Sequence, residues 1–279
     1  MARLPKDSTN YLLSEYLADL ERAGVRDYYR GDRRQVGALA QTPDTNDNTT
    51  ATRRIQITRE SLPTNASHTP SGSVPNPAAP QVDHAVLSPE GQERKARLDL
   101  VREEVAACAR CAELVANRKQ TVFGSGNPEA TLLFLGEGPG AEEDLRGEPF
   151  VGRSGQLLTD MIEKGMKIPR ASVYICNVVR CRPPQNRNPL PEEANACRPF
   201  LEATLRIIQP KFICCLGAIA ATNLLQQNVA LGKLRGVVHE YQGARVVCTY
   251  HPAYLLRNPS AKKQAWEDLQ LLMREMGLR

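Results

Sequence analysis

The chain has 279 residues, room for one large domain or two modest ones, and 41% of them are hydrophobic, enough for a real core. Its net charge of +5 is unevenly carried: residues 1–90 hold 10 basic and 11 acidic side chains, residues 91–279 hold 26 and 20. No apolar run approaches the roughly 18 residues of a membrane span, and the start lacks the apolar stretch of a secretory signal, so neither membrane insertion nor export is expected.

Without export, the eight cysteines are expected to be thiols or metal ligands in a reducing cytoplasm. The basic excess after residue 90 is compatible with a phosphate-bearing partner, although a solvated basic surface explains it equally well.

In chain order, Leu12, Leu13, Tyr16, Leu17 and Leu20 recur at helical spacing, so residues 8–30 read as an amphipathic helix within an N-terminal segment 1–35. Such a helix docks on its own domain or on a protein partner. Residues 36–90 are rich in Ser, Thr, Pro, Asn and Asp and poor in large apolar side chains. They cannot offset the entropy of ordering and are expected to be a disordered linker. The folded domain is therefore expected in the remainder, 91–279.

Residues 93–106 read as a helix leading into Cys108-x-x-Cys111. Continuous apolar runs at 131–136, 172–179, 211–217 and 244–250 have the form of strands buried on both faces. Helical segments at 154–165, 191–208, 217–227 and 261–276 alternate with them. That alternation predicts an α/β fold with a mainly parallel four-stranded sheet covered on both faces. Ligands of such sheets bind beyond the carboxyl ends of the strands. Gly136–Gly140, Asn177–Cys181 and the segment from His251 onward all fall at those ends.

Gly136-Glu-Gly138-Pro-Gly140 lacks the spacing of a dinucleotide fingerprint, and Pro139 removes an amide that would face phosphate. It serves either as a tight turn or as a way to bring backbone close to a planar ligand, with Glu137 aimed at the reacting centre. Residues 141–155 show no clear period and read as a wrapping loop. There Phe150 is either core or a stacking platform for a base. His251 ends a strand and precedes a proline that blocks its continuation. Leu255 and Leu256 are core residues or an apolar wedge for a base stack, with Arg257 meeting phosphate.

Cys108 and Cys111 form one short pair, while Cys181 and Cys197 bracket fifteen residues rich in proline. Four thiolates from two segments suit zinc or an iron–sulfur cluster, and spacing does not choose between them. Cys176, Cys214, Cys215 and Cys248 fall within the apolar runs and are expected to be small buried thiols.

Taken together, Gly-Glu-Gly-Pro-Gly at 136–140, Pro-Phe-Val-Gly at 149–152, Asn-Val-Val-Arg-Cys-Arg-Pro-Pro at 177–184 and His-Pro-Ala-Tyr-Leu-Leu-Arg at 251–257 closely resemble the family 4 uracil-DNA glycosylases. The resemblance covers roughly residues 95–278. It implies a three-layer α/β/α fold and a monomeric enzyme that flips uracil out of single- or double-stranded DNA and hydrolyses its glycosidic bond.

It also implies a 4Fe–4S cluster held by Cys108, Cys111, Cys181 and Cys197. By position, Glu137 and His251 match the catalytic residues, and Gly138, Phe150 and Asn177 match the uracil pocket. Leu255, with Leu256 and Arg257 beside it, matches the intercalating segment, and Arg182 and Arg187 are expected to meet phosphates. The alternative is a non-catalytic iron–sulfur DNA-binding or damage-recognition protein.

Overall fold

The computed structural model describes residues 87–278; the expected helix at 8–30 and nearly all of the expected linker at 36–90 lie outside the described residues. The first helix, α1 (Pro89–Ala107), starts four residues earlier than its apolar pattern. Ser88 caps it by accepting from the Gly91 amide, and Pro89 supplies the preset φ of a first turn. A short α2 (Ala112–Asn117) follows the Cys108–Cys111 turn.

Then come β1 (Ser125–Gly126), β2 (Leu132–Gly136), α3 (Ala141–Arg146) and α4 (Arg153–Asp160), which runs into a wider π turn, Met161–Met166. The chain continues with β3 (Tyr174–Asn177), α5 (Pro191–Ile208), β4 (Phe212–Leu216), α6 (Ala218–Leu225), α7 (Leu231–Leu234), β5 (Val238–Tyr241) and β6 (Ala244–Thr249). It closes with α8 (Pro252–Arg257) and α9 (Lys262–Glu275).

The sheet has six strands in the order β1-β3-β2-β4-β6-β5. The four central strands are parallel, as their unbroken apolar runs require. Two antiparallel edge strands, β1 and β5, correct the expected count of four. Neither carries the apolar run of a central strand: β1 is Ser-Gly, and β5 reads Val-His-Glu-Tyr, none of it fully buried.

Strand alternation sends Leu132, Phe134, Ile175, Cys214, Leu216 and Val247 into one cluster with Leu158, Ile162, Leu269 and Leu272 of the α4–π-turn and α9 layer. The residues between them, among them Leu133, Leu135, Ile213, Cys215, Val246 and Cys248, face the other way and are at most 1% exposed. On that side α6 packs on β2 and β4, and α1 packs on α5. This is the three-layer arrangement the alternation implies, and all four strand cysteines are buried in it.

Residues 141–155 correct the expectation of a continuous loop: α3 is a turn and a half of helix ended by Gly147 in the left-handed conformation. Its only large apolar residue is Leu145, 57% exposed, so no hydrophobic period announces it. Backbone capping holds it instead. The Glu143 carboxylate accepts from the Gly140 amide, closing the first turn.

Candidate active site

The functional segments meet because the parallel register carries past the strand ends. Gly136 pairs with Asn177. Beyond them the Val178 amide donates to the Gly136 carbonyl at 2.9 Å and the Val179 amide to the Glu137 carbonyl at 3.1 Å. Glu137 and Asn177 thus lie side by side. His251 follows β6 by two residues, and Gly217, at the end of neighbouring β4, lets it approach: a Cβ on Gly217 would lie 3.1 Å from that of His251, at a φ of +94° that disfavours side chains.

A cleft of about 640 Å³ opens at these strand ends, and Glu137, Gly138, Phe150, Asn177, His251 and Arg257 all line it. Gly136 sits between two of these lining residues, Asn177 and Phe150. A methyl group there would come within 2.3 Å of Asn177 Oδ1 and 2.6 Å of the Phe150 ring, so only glycine lets amide and ring converge. Asn177 is 1% exposed, and its Oδ1 has no hydrogen-bond partner in the protein. A buried acceptor left open is costly unless a ligand fills it.

His251 Nδ1 accepts from the Ala253 amide at 3.1 Å, so Nε2 carries the proton in the neutral ring. Burial pushes its pKa down to about 4, the Arg257 charge acts in the same direction, and Glu143 opposes them weakly. The imidazole is therefore a neutral donor near neutral pH. The Phe150 ring lies 5.5 Å from it, tilted by 35°. Burial raises the Glu137 carboxyl above the ordinary carboxylate value.

Two residues not anticipated from sequence hold Phe150 in place. Phe150 has φ +55°, a strained value for an aromatic side chain. Arg170 donates to the Pro149 and Phe150 carbonyls, each at 3.1 Å. Glu143 Oε1 accepts from the Val151 and Gly152 amides at 3.0 and 2.9 Å, while its Oε2 takes the Gly140 amide at 3.1 Å. One buried carboxylate therefore ties the Glu137 loop to the Phe150 loop. A Glu three residues after the Gly140 cap was a readable helix-start signal; nothing local marked Arg170.

Other expectations need correction. Leu255 is 2% exposed and packs with Ala261 and Ala265, flanked by Leu157, Met161 and Tyr250, so it is a core residue and not a projecting wedge. The reason is that 252–257 form helix α8 and not a loop, which turns Leu255 inward and leaves Tyr254 and Leu256 39% and 38% exposed. Leu256 does not line the cleft; Tyr254 does. Arg187 is not free to meet phosphate. Glu193 grips it at 2.6 and 2.8 Å and Glu113 at 2.9 Å, which fastens the proline-rich loop to α2.

The four candidate ligand cysteines gather at one end of α1. Burial raises the pKa of Cys111, Cys181 and Cys197, the last to about 12, and neighbouring thiols add to it: Cys108 and Cys181 act on Cys111, Cys108 on Cys181, and Cys181 and Cys111 on Cys197. Arg118 bridges the two segments, donating to Cys181 Sγ at 3.0 Å and to the Cys108 carbonyl at 2.9 Å. Among the described residues no three His, Cys, Asp or Glu side chains close around a single ion.

Sheet and side chains define an α/β protein with a cleft at its strand ends, where an open amide, an aromatic ring and a neutral imidazole face a carboxylate. The family model for the uracil DNA glycosylase superfamily matches residues 123–270. A type-4 uracil-DNA glycosylase of Thermotoga maritima is 47% identical over 182 residues, 63% of this chain and 93% of the relative. One from Sulfurisphaera tokodaii is 39% identical over 65% of this chain and 85% of its own. One from Archaeoglobus fulgidus is 39% identical over 62% and 90%. The chain belongs to the uracil-DNA glycosylase superfamily, and within it to the type-4 group.

Proposed function

We infer that this protein removes uracil from DNA by hydrolysing the N-glycosidic bond, leaving an abasic site for base excision repair. The carrying observation is the buried, unpaired Asn177 Oδ1 in a cleft shared with Glu137, Phe150 and a neutral His251 donor. Uracil offers N3–H to that oxygen and O4 to the Asn177 amide. Cytosine presents the reverse pattern and would leave both groups mispaired.

Extrusion of the base costs a few kcal/mol. Phe150 receives its face. As the C1′–N1 bond breaks, its electron pair passes to the base, and the charge growing on O2 meets His251 Nε2–H. A donor of this kind is typically worth about 3–4 kcal/mol. The ionised Glu137 carboxylate stabilises the cationic sugar and orients the water that adds at C1′. Burial of both groups strengthens these interactions by excluding water.

The thiol group of Cys108, Cys111, Cys181 and Cys197 fits a 4Fe–4S cluster. Such a cluster presents four separate irons, each taking one thiolate, so its ligands need not converge on one point. The crowded sulfurs hold one another's charge down, and Arg118, donating to Cys181 Sγ, favours the thiolate there and balances the negative charge of a thiolate-ligated cluster. When bound, it supplies Fe–S bonds that brace the proline-rich loop against α2. Action on chromosomal DNA as a cytoplasmic monomer, with residues 8–30 open to a protein partner, completes the reading from sequence.

The test is incubation with matched oligonucleotides carrying uracil, cytosine or thymine, followed by alkali. Strand scission at uracil alone is expected, with Glu137→Ala and His251→Ala losing scission while retaining DNA binding. A protein that binds the uracil strand but leaves it intact contradicts the catalytic reading.

A further inference from the structure

With Leu255 buried, the residue that enters the DNA stack must be sought elsewhere on the same short helix. Tyr254 and Leu256 are its two exposed large hydrophobic side chains, and of these only Tyr254 lines the cleft with Glu137 and His251. Tyr254 is also pre-organised. Its ring stacks on Tyr250 with centroids 5.1 Å apart and planes 18° from parallel.

Tyr250 is in turn covered by the Arg235 guanidinium, 4.8 Å from its centroid, and its hydroxyl donates to Gln264 Oε1 at 3.1 Å. Arg235 is anchored by Asp268 at 2.9 Å. The result is a braced column, Asp268–Arg235–Tyr250–Tyr254, whose outermost member is an aromatic ring at the cleft wall. Arg257, one helical turn on from Tyr254, lines the same wall and supplies a cation beside it. A rigid aromatic ring next to a cation is the chemistry that stacks nucleobases irrespective of sequence.

We propose that Tyr254 is the stacking subsite for the nucleobase adjacent to the extruded uracil, holding the stack open in place of Leu255. The proposal rests on the uracil reading above. The column fixes the ring before DNA arrives, so little side-chain entropy remains to be lost on binding. Leu255 acts from beneath, as part of the cluster with Ala261 and Ala265 on which Tyr250 packs, and keeps the helix seated.

The experiment uses the full chain and an oligonucleotide with 2-aminopurine 5′ or 3′ to a non-cleavable 2′-fluoro-deoxyuridine, read by fluorescence, together with KM and kcat on ordinary uracil DNA. The wild-type protein is expected to change 2-aminopurine emission on one side of the lesion. Tyr254→Ala should abolish that change and raise KM roughly 5- to 150-fold, the range for losing one aromatic–base stack. Tyr254→Phe and Tyr254→Trp should retain both signals, because the ring and not the hydroxyl does the stacking.

Leu255→Ala should lower the unfolding temperature while the folded fraction keeps the emission change. Loss of that change in folded Leu255→Ala or Leu256→Ala, with Tyr254→Ala behaving as wild type, overturns the proposal. Failure of the wild-type protein to release uracil at all would instead sink the reading on which it rests.

Discussion

Glu143→Gln isolates the carboxylate that joins the two halves of the cleft. The substitution keeps shape and removes charge. Glu143 accepts three backbone amides, from Gly140, Val151 and Gly152, and is only 7% exposed. A glutamine has one oxygen, so with that oxygen on Val151 and Gly152 its NH2 must face the Gly140 amide. One buried donor is then left unsatisfied, at about 1–3 kcal/mol, and the two surviving bonds each weaken by roughly 1 kcal/mol as they lose charge assistance.

Relief of carboxylate desolvation offsets part of this, leaving about 3 kcal/mol, equivalent to roughly a hundredfold in kcat/KM if felt wholly in the transition state. If it were felt wholly in global folding, the unfolding temperature would fall by roughly 6–12 °C. Because the bonds tether loops at the cleft, we expect most of it in uracil release, measured with uracil oligonucleotides beside thermal melts. Glu142→Gln next door, on an exposed side chain that pairs with Arg146, should change neither. A Glu143→Gln enzyme within twofold of wild type in kcat/KM would refute the clamp.

Four further outcomes are expected. Acid inhibition should follow Glu137, whose buried carboxyl titrates above its ordinary value, so kcat/KM rises with pH through that raised pKa; His251, ionising near 4, should add no limb at 6.5. A limb at 6.5 that disappears in His251→Gln would contradict the neutral-donor role. Between the unfolded and folded pKa of Glu137 the native state binds the extra proton, so its burial costs stability as pH rises; Glu137→Gln should melt higher than wild type at pH 8 while losing turnover.

Gly136→Ala should abolish uracil release with the fold intact by circular dichroism, because its methyl group would lie 2.3 Å from Asn177 Oδ1; near-normal activity would show that Asn177 and Phe150 need not converge. Cys181→Ala should bleach visible absorption and lower the unfolding temperature, and an unchanged spectrum would remove Cys181 from the ligand set.

The central sheet was legible because strands buried on both faces must be apolar throughout, and 131–136, 172–179, 211–217 and 244–250 have no other reading as good. The edges were not: β5 is polar and only partly buried, and β1 is two residues long, so neither carries a hydrophobic signature. α3 escaped for a related reason, being held by capping and not by burial.

Among candidate site residues, Glu137, Gly138, Asn177 and His251 were marked by their places at strand ends and Phe150 by its place in the glycine-rich segment that follows, and all five line one cleft. What sequence could not assign was direction. Leu255 and Leu256 are chemically identical neighbours, and only the helical turn of 252–257 against Ala261 and Ala265 decides which is core. Likewise Arg187 reads as a free cation until α5 brings Glu193 and α2 brings Glu113 to it.

The chain's chemistry was therefore set by residue identity and by adjacency to apolar runs, since both are properties of short segments. Contacts across long separations decided the rest. Arg170 reaching the Phe150 carbonyl, or Asp268 bracing Arg235 under two tyrosines, depends on how distant elements pack, and no local pattern encodes that.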